Sequence, residues 1–258
     1  MRHQMIVTNE KERESLIEAG KRLACVMTAL KEKVHSGVTA EELDDLAEQI
    51  IREGGDSPAF LGYTSEGSSR KYPATLCVSI NDEVVHGIPN ESQKVLKEGD
   101  IVSLDFGLIH NGIVVDAAIT VPVGNINEES EKLLNATENA LVAGIAKAIP
   151  GNHIGDISHA IQKEIEDYGF KVVKDLGGHG VGNLVHEEPF IPNFGRAGTG
   201  MLIEEGMVLA LEPISAAGKG AVIIAPDGYT FRTKDGSRSA HFEHTILIEK
   251  DGARIITK

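Results

Sequence analysis

The spacing of apolar residues predicts four amphipathic helices. Apolar side chains recur at intervals of three and four in four stretches of the chain, the spacing that lines one face of a helix. Thr39 and Glu42 add a local signal, because a hydroxyl residue followed three positions later by Glu is the pattern of a capping box. The predicted helices span 9–34, 39–54, 128–148 and 155–168.

Short apolar runs rich in Val and Ile lie between and after these helices, and they predict strands. Together with the four helices, these runs predict an α+β protein. The clearest strands are TLCVSI, DIVSLDFGLI, GIVVDAAITV, MVLALEPI, AVIIAP and HTILIEK.

The segment 101–121 contains a charge in each half of an apolar hairpin. Asn111-Gly112 is a strong signal for a two-residue hairpin turn. Such a turn places Asp105 and Asp116 on the same face of the hairpin as diagonal neighbours, with Cα atoms ~7–8 Å apart. The surrounding residues are apolar, so both carboxylates should be buried. Two buried like charges require either a proton or a bound cation. If the face were exposed, no such partner would be needed.

Three further residues favour the cation. Glu212 in LALEPI and Glu243 in AHFEHTILI also lie in apolar strands, and charged residues are rarely buried without a partner. His179 in DLGGHGVG lies between glycines, which leave its imidazole accessible. Together with the two aspartates they form an oxygen-rich set that suits two divalent ions with shared ligands. Cys25 and Cys77 are isolated, so a thiolate zinc site is excluded.

The chain also contains an approximate internal repeat. VVHGIP recurs as LVHEEP, and EGDIVSLD recurs as EGMVLALE, in the same order and at offsets of 100 and 107 residues. A helix–glycine–helix layout recurs upstream of both. The repeat predicts two similar α+β halves within one domain, and it aligns Asp105 with Glu212 and His86 with His186. Chance similarity between common patterns is the alternative.

Composition narrows the class of protein. The chain has 258 residues, 39 acidic and 25 basic, with a formal net charge of −14, so nucleic acid is not expected as the main ligand. Two cysteines fit a reducing compartment. The N-terminus lacks the pattern of a signal peptide, and no apolar run reaches the ~20 residues that span a bilayer. A cytoplasmic protein without membrane contact is expected.

Considered together, these segments resemble the type I methionine aminopeptidases. The resemblance covers nearly the whole chain and implies a single catalytic domain, 1–258, with the pita-bread fold, in which two pseudo-symmetric halves share a curved, mostly antiparallel sheet covered by helices. It also implies metal-dependent removal of the N-terminal methionine from nascent proteins and peptides, with preference for a small second residue. The segments that carry it are CVSINDEVVHGIP, the 101–121 hairpin, GGHGVG, VHEEP, GTGMLIEEGMVLALEPI and AHFEHTILI.

The resemblance assigns roles to individual residues. Glu212 would be the general base as well as a metal ligand, His86 would contact the substrate near its scissile amide nitrogen, and His186 would hold the scissile carbonyl oxygen. The cofactor would be two divalent ions, of Mn, Fe, Co or Zn. The implied metal ligands are Asp105, Asp116, His179, Glu212 and Glu243, with Asp116 and Glu243 bridging; the implied methionine pocket contains Cys77, Val185 and Tyr229.

Some positions depart from the family pattern. Ala117 stands where many relatives have a hydroxyl residue, and the loop 62–72 is longer than usual. His241 stands where residues such as Gln occur; it is either a local pH-sensitive group or a surface histidine, and we favour the surface histidine. A monomer that acts on N-terminal peptides of nascent chains, with possible transient ribosome contact, is expected. The alternatives are an Xaa-Pro-type metallopeptidase and a catalytically silent pita-bread binding protein.

Overall fold

The structure, a computed structural model, describes residues 4–64 and 70–258. All four predicted helices are present. Asn9 caps the first helix by accepting a hydrogen bond from the Glu12 amide, and Thr39 with Glu42 forms the predicted capping box of the second. The helices are α1 (Glu10–Lys33), α2 (Ala40–Glu53), α3 (Glu128–Ile145) and α4 (Ile154–Asp167).

The predicted apolar runs form strands, accompanied by several short strands in the loops. In chain order they are β1 (Ser57–Pro58), β2 (Cys77–Ile80), β3 (Glu83–Val85), β4 (Ile101–His110), β5 (Ile113–Pro122), β6 (Lys171–Val172), β7 (Gly177–Gly180), β8 (Glu187–Pro192), β9 (Val208–Leu211), β10 (Ile214–Ala216), β11 (Val222–Ile224), β12 (Phe231–Thr233), β13 (Ser239–His241), β14 (Glu243–Glu249) and β15 (Gly252–Ile255).

One antiparallel sheet organises the molecule. Its main path runs β1-β4-β5-β14-β9-β7-β8, while β2 adds to β4 and β15 to β14. The β4–β5 hairpin turns at Asn111 and Gly112, both with positive φ, as a type I′ turn requires. The late strand β14 pairs with β5 on one side and β9 on the other, so it joins the first part of the chain to the second.

The helices cover this sheet in two pairs. The apolar faces of α1 and α2 pack in one buried cluster with the β4–β5 hairpin, and those of α3 and α4 pack in a second cluster with residues of β9 and β14. This arrangement of two helix pairs on one shared sheet confirms the α+β prediction. Among the described residues, no helix is both long and apolar enough to cross a membrane.

Candidate metal centre and its pocket

Strand register places two of the predicted ligands in one row across four strands. Directly paired residues of antiparallel strands share a face. Cys77 of β2 pairs with Asp105 of β4, Asp105 with Ala118 of β5, and Ala118 with Glu243 of β14. Ala118 has a small side chain, so the carboxylates on either side of it are not separated by bulk. The hairpin pairing of Asp105 with Ala118 is the one that the Asn-Gly turn predicts.

Asp116 lies two residues before Ala118 and therefore points to the same face. It pairs with Gly107, and its main chain is fixed by Thr245 of β14, whose hydroxyl accepts from the Asp116 amide at 2.9 Å and donates to its carbonyl at 2.8 Å. Asp105 and Asp116 are 6% and 3% exposed, so the exposed-face alternative for the hairpin is wrong.

His179 enters the site from β7. Its Nδ1 lies 2.9 Å from the Gly180 carbonyl oxygen, to which it can only donate, so the lone pair of Nε2 is free for the site. The flanking glycines allow close strand contact: a Cβ on Gly178 would lie 2.3 Å from the Ala210 carbonyl oxygen, and one on Gly180 2.1 Å from that of Glu188.

Glu212 follows the end of β9 and meets two histidines. Its Oε1 lies 3.5 Å from His179 Nε2, and its Oε2 lies 3.4 Å from His241 Nε2. His241 Nε2 is also 3.9 Å from Glu243 Oε2. The interpretation of His241 as a surface residue is wrong, because it is 2% exposed and lies between two of the predicted ligands. Its position two residues before Glu243, at the end of β13, was the available signal.

Burial of so many acids in one place makes their ionisation unfavourable. Burial raises the pKa of Asp116 to about 8, with the charge of Glu212 as the second cause. Burial likewise raises the pKa of Asp105, Glu212 and Glu243 well above the ordinary range, and neighbouring carboxylates add to this for Asp105 and Glu243. They can ionise together at neutral pH only if nearby positive charge compensates them.

The neighbouring histidines do not supply that charge. Burial lowers the pKa of His179 and His241 to about 3, and that of His86 to about 4. Burial also lowers the pKa of His186. These imidazoles are therefore neutral at pH 7. A neutral histidine among ionised carboxylates is a suitable ligand for a divalent cation.

The donor atoms fit divalent ions by their position as well as by their charge. One ligand atom from each of Asp116, His179 and Glu243 lies within 4.8 Å of the others. Buried oxygens of Asp105, Asp116 and Glu243 have no hydrogen-bond partner among the described residues. Unpartnered buried carboxylate oxygens are costly, and a shared cation satisfies them.

The acidic cluster forms the floor of a pocket whose walls carry most of the predicted substrate residues. His86, His186, Cys77 and Tyr229 all line it. Val185 does not: it is 6% exposed and packs in the core cluster with α1 and α2. Three aromatic residues that sequence reasoning missed also line the pocket. Their only sequence signal was their location in a Gly/Ser/Pro-rich loop. They are Phe60, Tyr63 and Tyr72.

Tyr229 connects the pocket to the loop 62–72. Its hydroxyl donates to the Arg70 carbonyl oxygen, and its ring meets the Tyr72 ring edge-on, with centroids 5.2 Å apart. Residues 65–69, in the middle of the loop that the sequence predicts to be longer than usual, lie outside the described part of the chain.

Comparison with known proteins gives one consistent result. The model of metallopeptidase family M24 matches residues 14–250. The chain is 46% identical to a methionine aminopeptidase of Aquifex aeolicus over 97% of both chains, and 44% identical to methionine aminopeptidase 1 of Bacillus subtilis over 93% of this chain and 94% of that one.

Solved structures agree with this result. The crystal structure of methionine aminopeptidase from Thermotoga maritima superposes with a TM-score of 0.93 at 42% identity, covering 98% of this chain and 99% of that one. A prolidase from Pyrococcus furiosus superposes with a TM-score of 0.75 at 23% identity, and its chain is longer, with 66% covered. The second likeness extends to the fold alone.

Proposed function

Because the chain belongs to metallopeptidase family M24, we propose that its buried acidic pocket is the place where it removes the N-terminal methionine from peptides and nascent proteins. The fold is the pita-bread fold, and relatives at 37–46% identity over nearly the whole chain are methionine aminopeptidases. The observation that carries the proposal for the site is the buried cluster of acids with His179: one ligand atom from each of Asp116, His179 and Glu243 lies within 4.8 Å of the others, and buried carboxylate oxygens of the cluster have no hydrogen-bond partner among the described residues.

We propose two divalent ions, of Mn, Fe, Co or Zn, as the cofactor. Asp105, Asp116, His179, Glu212 and Glu243 would hold them. Four carboxylates balance the charge of two divalent cations, and one imidazole suits each of these metals. When bound, the ions supply Lewis-acid polarisation of the scissile carbonyl and lower the pKa of water.

The protein's own residues then complete the reaction. Glu212 accepts a proton from the attacking water and delivers it to the leaving amine, because burial raises its pKa and makes the carboxylate a stronger base than an exposed glutamate. His186 donates a hydrogen bond to the scissile carbonyl oxygen, where negative charge develops. His86, whose ring packs against Phe231 with centroids 5.7 Å apart, faces the scissile amide nitrogen.

The walls of the pocket select the substrate. Cys77, Tyr72 and Tyr229 pack in a small apolar cluster with Ile88 and Phe60, and this cluster suits an unbranched thioether side chain. Val185 packs in the core cluster with α1 and α2 and does not line this pocket. We propose that the site accepts a small second residue in preference to a large one. We also propose that the enzyme acts as a monomer in the cytoplasm, with transient ribosome contact through a local patch.

Activity on a defined peptide tests the function. Chelator-treated protein should release no methionine from Met-Ala-Ser, and addition of Mn(II) or Co(II) should restore release. An Xaa-Pro peptide serves as the comparison, because the fold is shared with prolidases. Faster cleavage of the Xaa-Pro peptide would replace the proposed substrate class, and binding of metal without cleavage of either peptide would favour a silent binding protein.

A single substitution tests the role of Glu212. Glu212→Gln keeps the shape of the side chain but removes the base and one anionic ligand, so kcat/KM should fall by at least about a hundredfold. Glu205→Gln is the matched control, because Glu205 is an exposed residue in the turn before β9. Wild-type kinetics in Glu212→Gln would contradict the assignment.

A further inference from the structure

Tyr63 makes a direct hydrogen bond to His186. The Tyr63 hydroxyl oxygen lies 2.7 Å from His186 Nδ1, although the two residues are 123 positions apart in the chain. Their rings also touch, with centroids 5.4 Å apart and planes inclined by 55°. Both side chains line the pocket above the acidic cluster. The contact therefore joins the loop before β2 to the connection between β7 and β8.

The main chain holds Tyr63 firmly in this position. The Gly62 amide donates to the Tyr72 carbonyl at 2.9 Å, and the Tyr72 amide donates to the Tyr63 carbonyl at 2.7 Å, so the two ends of the loop pair with each other. The Tyr63 amide closes a turn by donating to the Phe60 carbonyl at 2.9 Å. Because these hydrogen bonds fix the backbone at Tyr63, its side chain can orient a partner.

This hydrogen bond can select one tautomer of the histidine. A neutral imidazole carries its proton on either Nδ1 or Nε2, and the nitrogen without the proton accepts. A phenol hydroxyl donates readily, and burial raises the pKa of Tyr63, which keeps the phenol proton in place. When the phenol donates to Nδ1, the proton of the imidazole must reside on Nε2.

The Nε2–H tautomer is the one that the proposed reaction needs. A scissile carbonyl oxygen accepts hydrogen bonds and gains negative charge as it is attacked, so it requires a donor. In the other tautomer, Nδ1–H would donate to the tyrosine oxygen, and Nε2 would present a lone pair to the carbonyl oxygen. Two lone pairs repel each other, and the histidine would then oppose catalysis.

We propose that Tyr63 is a positioning residue that fixes His186 as its Nε2–H tautomer, so that His186 can donate to the scissile carbonyl oxygen. This inference rests on the role of His186 in the proposed function. Tyr63 itself acts only through His186 and need not touch the reacting atoms.

Kinetics provide the first test. Tyr63→Phe keeps the ring contact and removes only the hydroxyl; kcat for Met-Ala-Ser should fall about tenfold, the effect of one hydrogen bond, with KM changed much less. In a His186→Ala background the same substitution should have no further effect. Tyr168→Phe is the control, because it removes a hydroxyl that contacts Asn139 far from the pocket and should leave kinetics unchanged. An unchanged kcat in Tyr63→Phe, or additive losses in the double variant, would overturn the proposal.

Nitrogen-15 NMR of the histidine rings in zinc-loaded protein provides a readout that does not need activity. The His186 signals are assigned by their absence from His186→Ala. Nε2 should carry the proton in the wild type, and Tyr63→Phe should give a mixture of tautomers. Tyr72→Phe is the matched control within the pocket, since the Tyr72 hydroxyl donates to the Gly87 carbonyl and not to a histidine. A wild-type proton on Nδ1 would refute the inference. If the tautomer is as proposed but the wild type releases no methionine, the proposed function fails and the tautomer assignment stands.

Discussion

Asp44 is a single buried carboxylate that supports the wall of the pocket. It lies on α2, is 5% exposed, and its Oδ1 accepts hydrogen bonds from the Thr75 and Leu76 amides at 2.8 and 2.9 Å. These amides directly precede Cys77. Burial nevertheless raises the pKa of Asp44 to about 6, which outweighs the two hydrogen bonds. The folded protein therefore holds this proton more tightly than the unfolded chain, whose ordinary Asp pKa is 3.8.

This difference predicts how stability changes with pH. The proton is bound in the folded state and lost in the unfolded state between pH 3.8 and about 6, so the contribution of Asp44 to the free energy of unfolding falls as pH rises through this window. The full loss is about 3 kcal/mol. Asp44→Asn should remove this pH-dependent loss. The stability of the variant relative to the wild type should therefore increase from pH 4 to pH 7.

Urea unfolding of chelator-treated protein at a series of pH values measures this effect. Glu53→Gln is the control, because Glu53 is an exposed residue at the C-terminal end of α2 and its loss should leave the pH dependence as in the wild type. A constant difference between Asp44→Asn and the wild type at every pH would show that Asp44 is not the group responsible.

At single positions, sequence reasoning identified buried acids where a residue conflicted with its surroundings. Asp105, Asp116, Glu212 and Glu243 were detected because a charge within an apolar strand needs a physical explanation. Tyr63 gave no such conflict, since a tyrosine in a polar loop is ordinary. Its contact with His186 depends on a hydrogen bond across 123 positions, which no local pattern encodes.

At the scale of elements, local sequence signals predicted helix caps and turns, but they did not predict which distant strands pair. The capping box of α2 and the Asn-Gly turn between β4 and β5 depend on residues close in sequence, and both formed as predicted. The insertion of β14 between β5 and β9 was not predicted. Its partners lie far away in the chain, so its register is set by the fit of the buried faces and not by a turn.

The connection between β7 and β8 is held by one buried carboxylate, Glu187. Its Oε1 accepts from the Asn183 and Leu184 amides at 2.7 and 2.8 Å, and its Oε2 accepts from the Met5 amide at 2.5 Å. Glu187 thus fastens the segment before α1 to the connection that carries His186. In the sequence, VHEEP gave no indication that its first glutamate is buried.

Glu187→Gln should release one of the two attachments and keep the other. An amide has one accepting oxygen in place of two, so either the Met5 amide or the 183–184 pair must lose its acceptor. Hydrogen–deuterium exchange at the released amides should accelerate by about tenfold or more, the effect of one charge-assisted bond. Glu32→Gln, on the exposed face of α1, is the control. Unchanged exchange at all three amides would mean that other contacts hold the connection.

At the scale of the whole molecule, the acidic centre lies where the two parts of the chain meet. Asp105 and Asp116 come from the hairpin that packs with α1 and α2, while Glu212 follows β9 and Glu243 begins β14, both in the second half of the chain. Repulsion among these acids opposes the joining of the parts unless protons or cations intervene. Metal and pH should therefore control the stability of the entire fold.

Metal should stabilise the protein more at high pH than at low pH. The pKa of Asp116 in the folded, metal-free protein is about 8, above the ordinary value of 3.8, so the stability of that state decreases as pH rises through this range. A cation binds the ionised carboxylates and displaces their protons, so its affinity rises with pH.

At a hundredfold excess over its Kd, a metal ion adds about 2.7 kcal/mol to the free energy of unfolding. The increase in Tm caused by saturating Mn(II) should therefore be several degrees at pH 8 and clearly smaller at pH 5.5. Asp116→Asn removes a shared ligand and should lose most of the gain at pH 8. Equal gains at the two pH values, or a full gain in Asp116→Asn, would mean that the metal stabilises the fold from somewhere other than this centre.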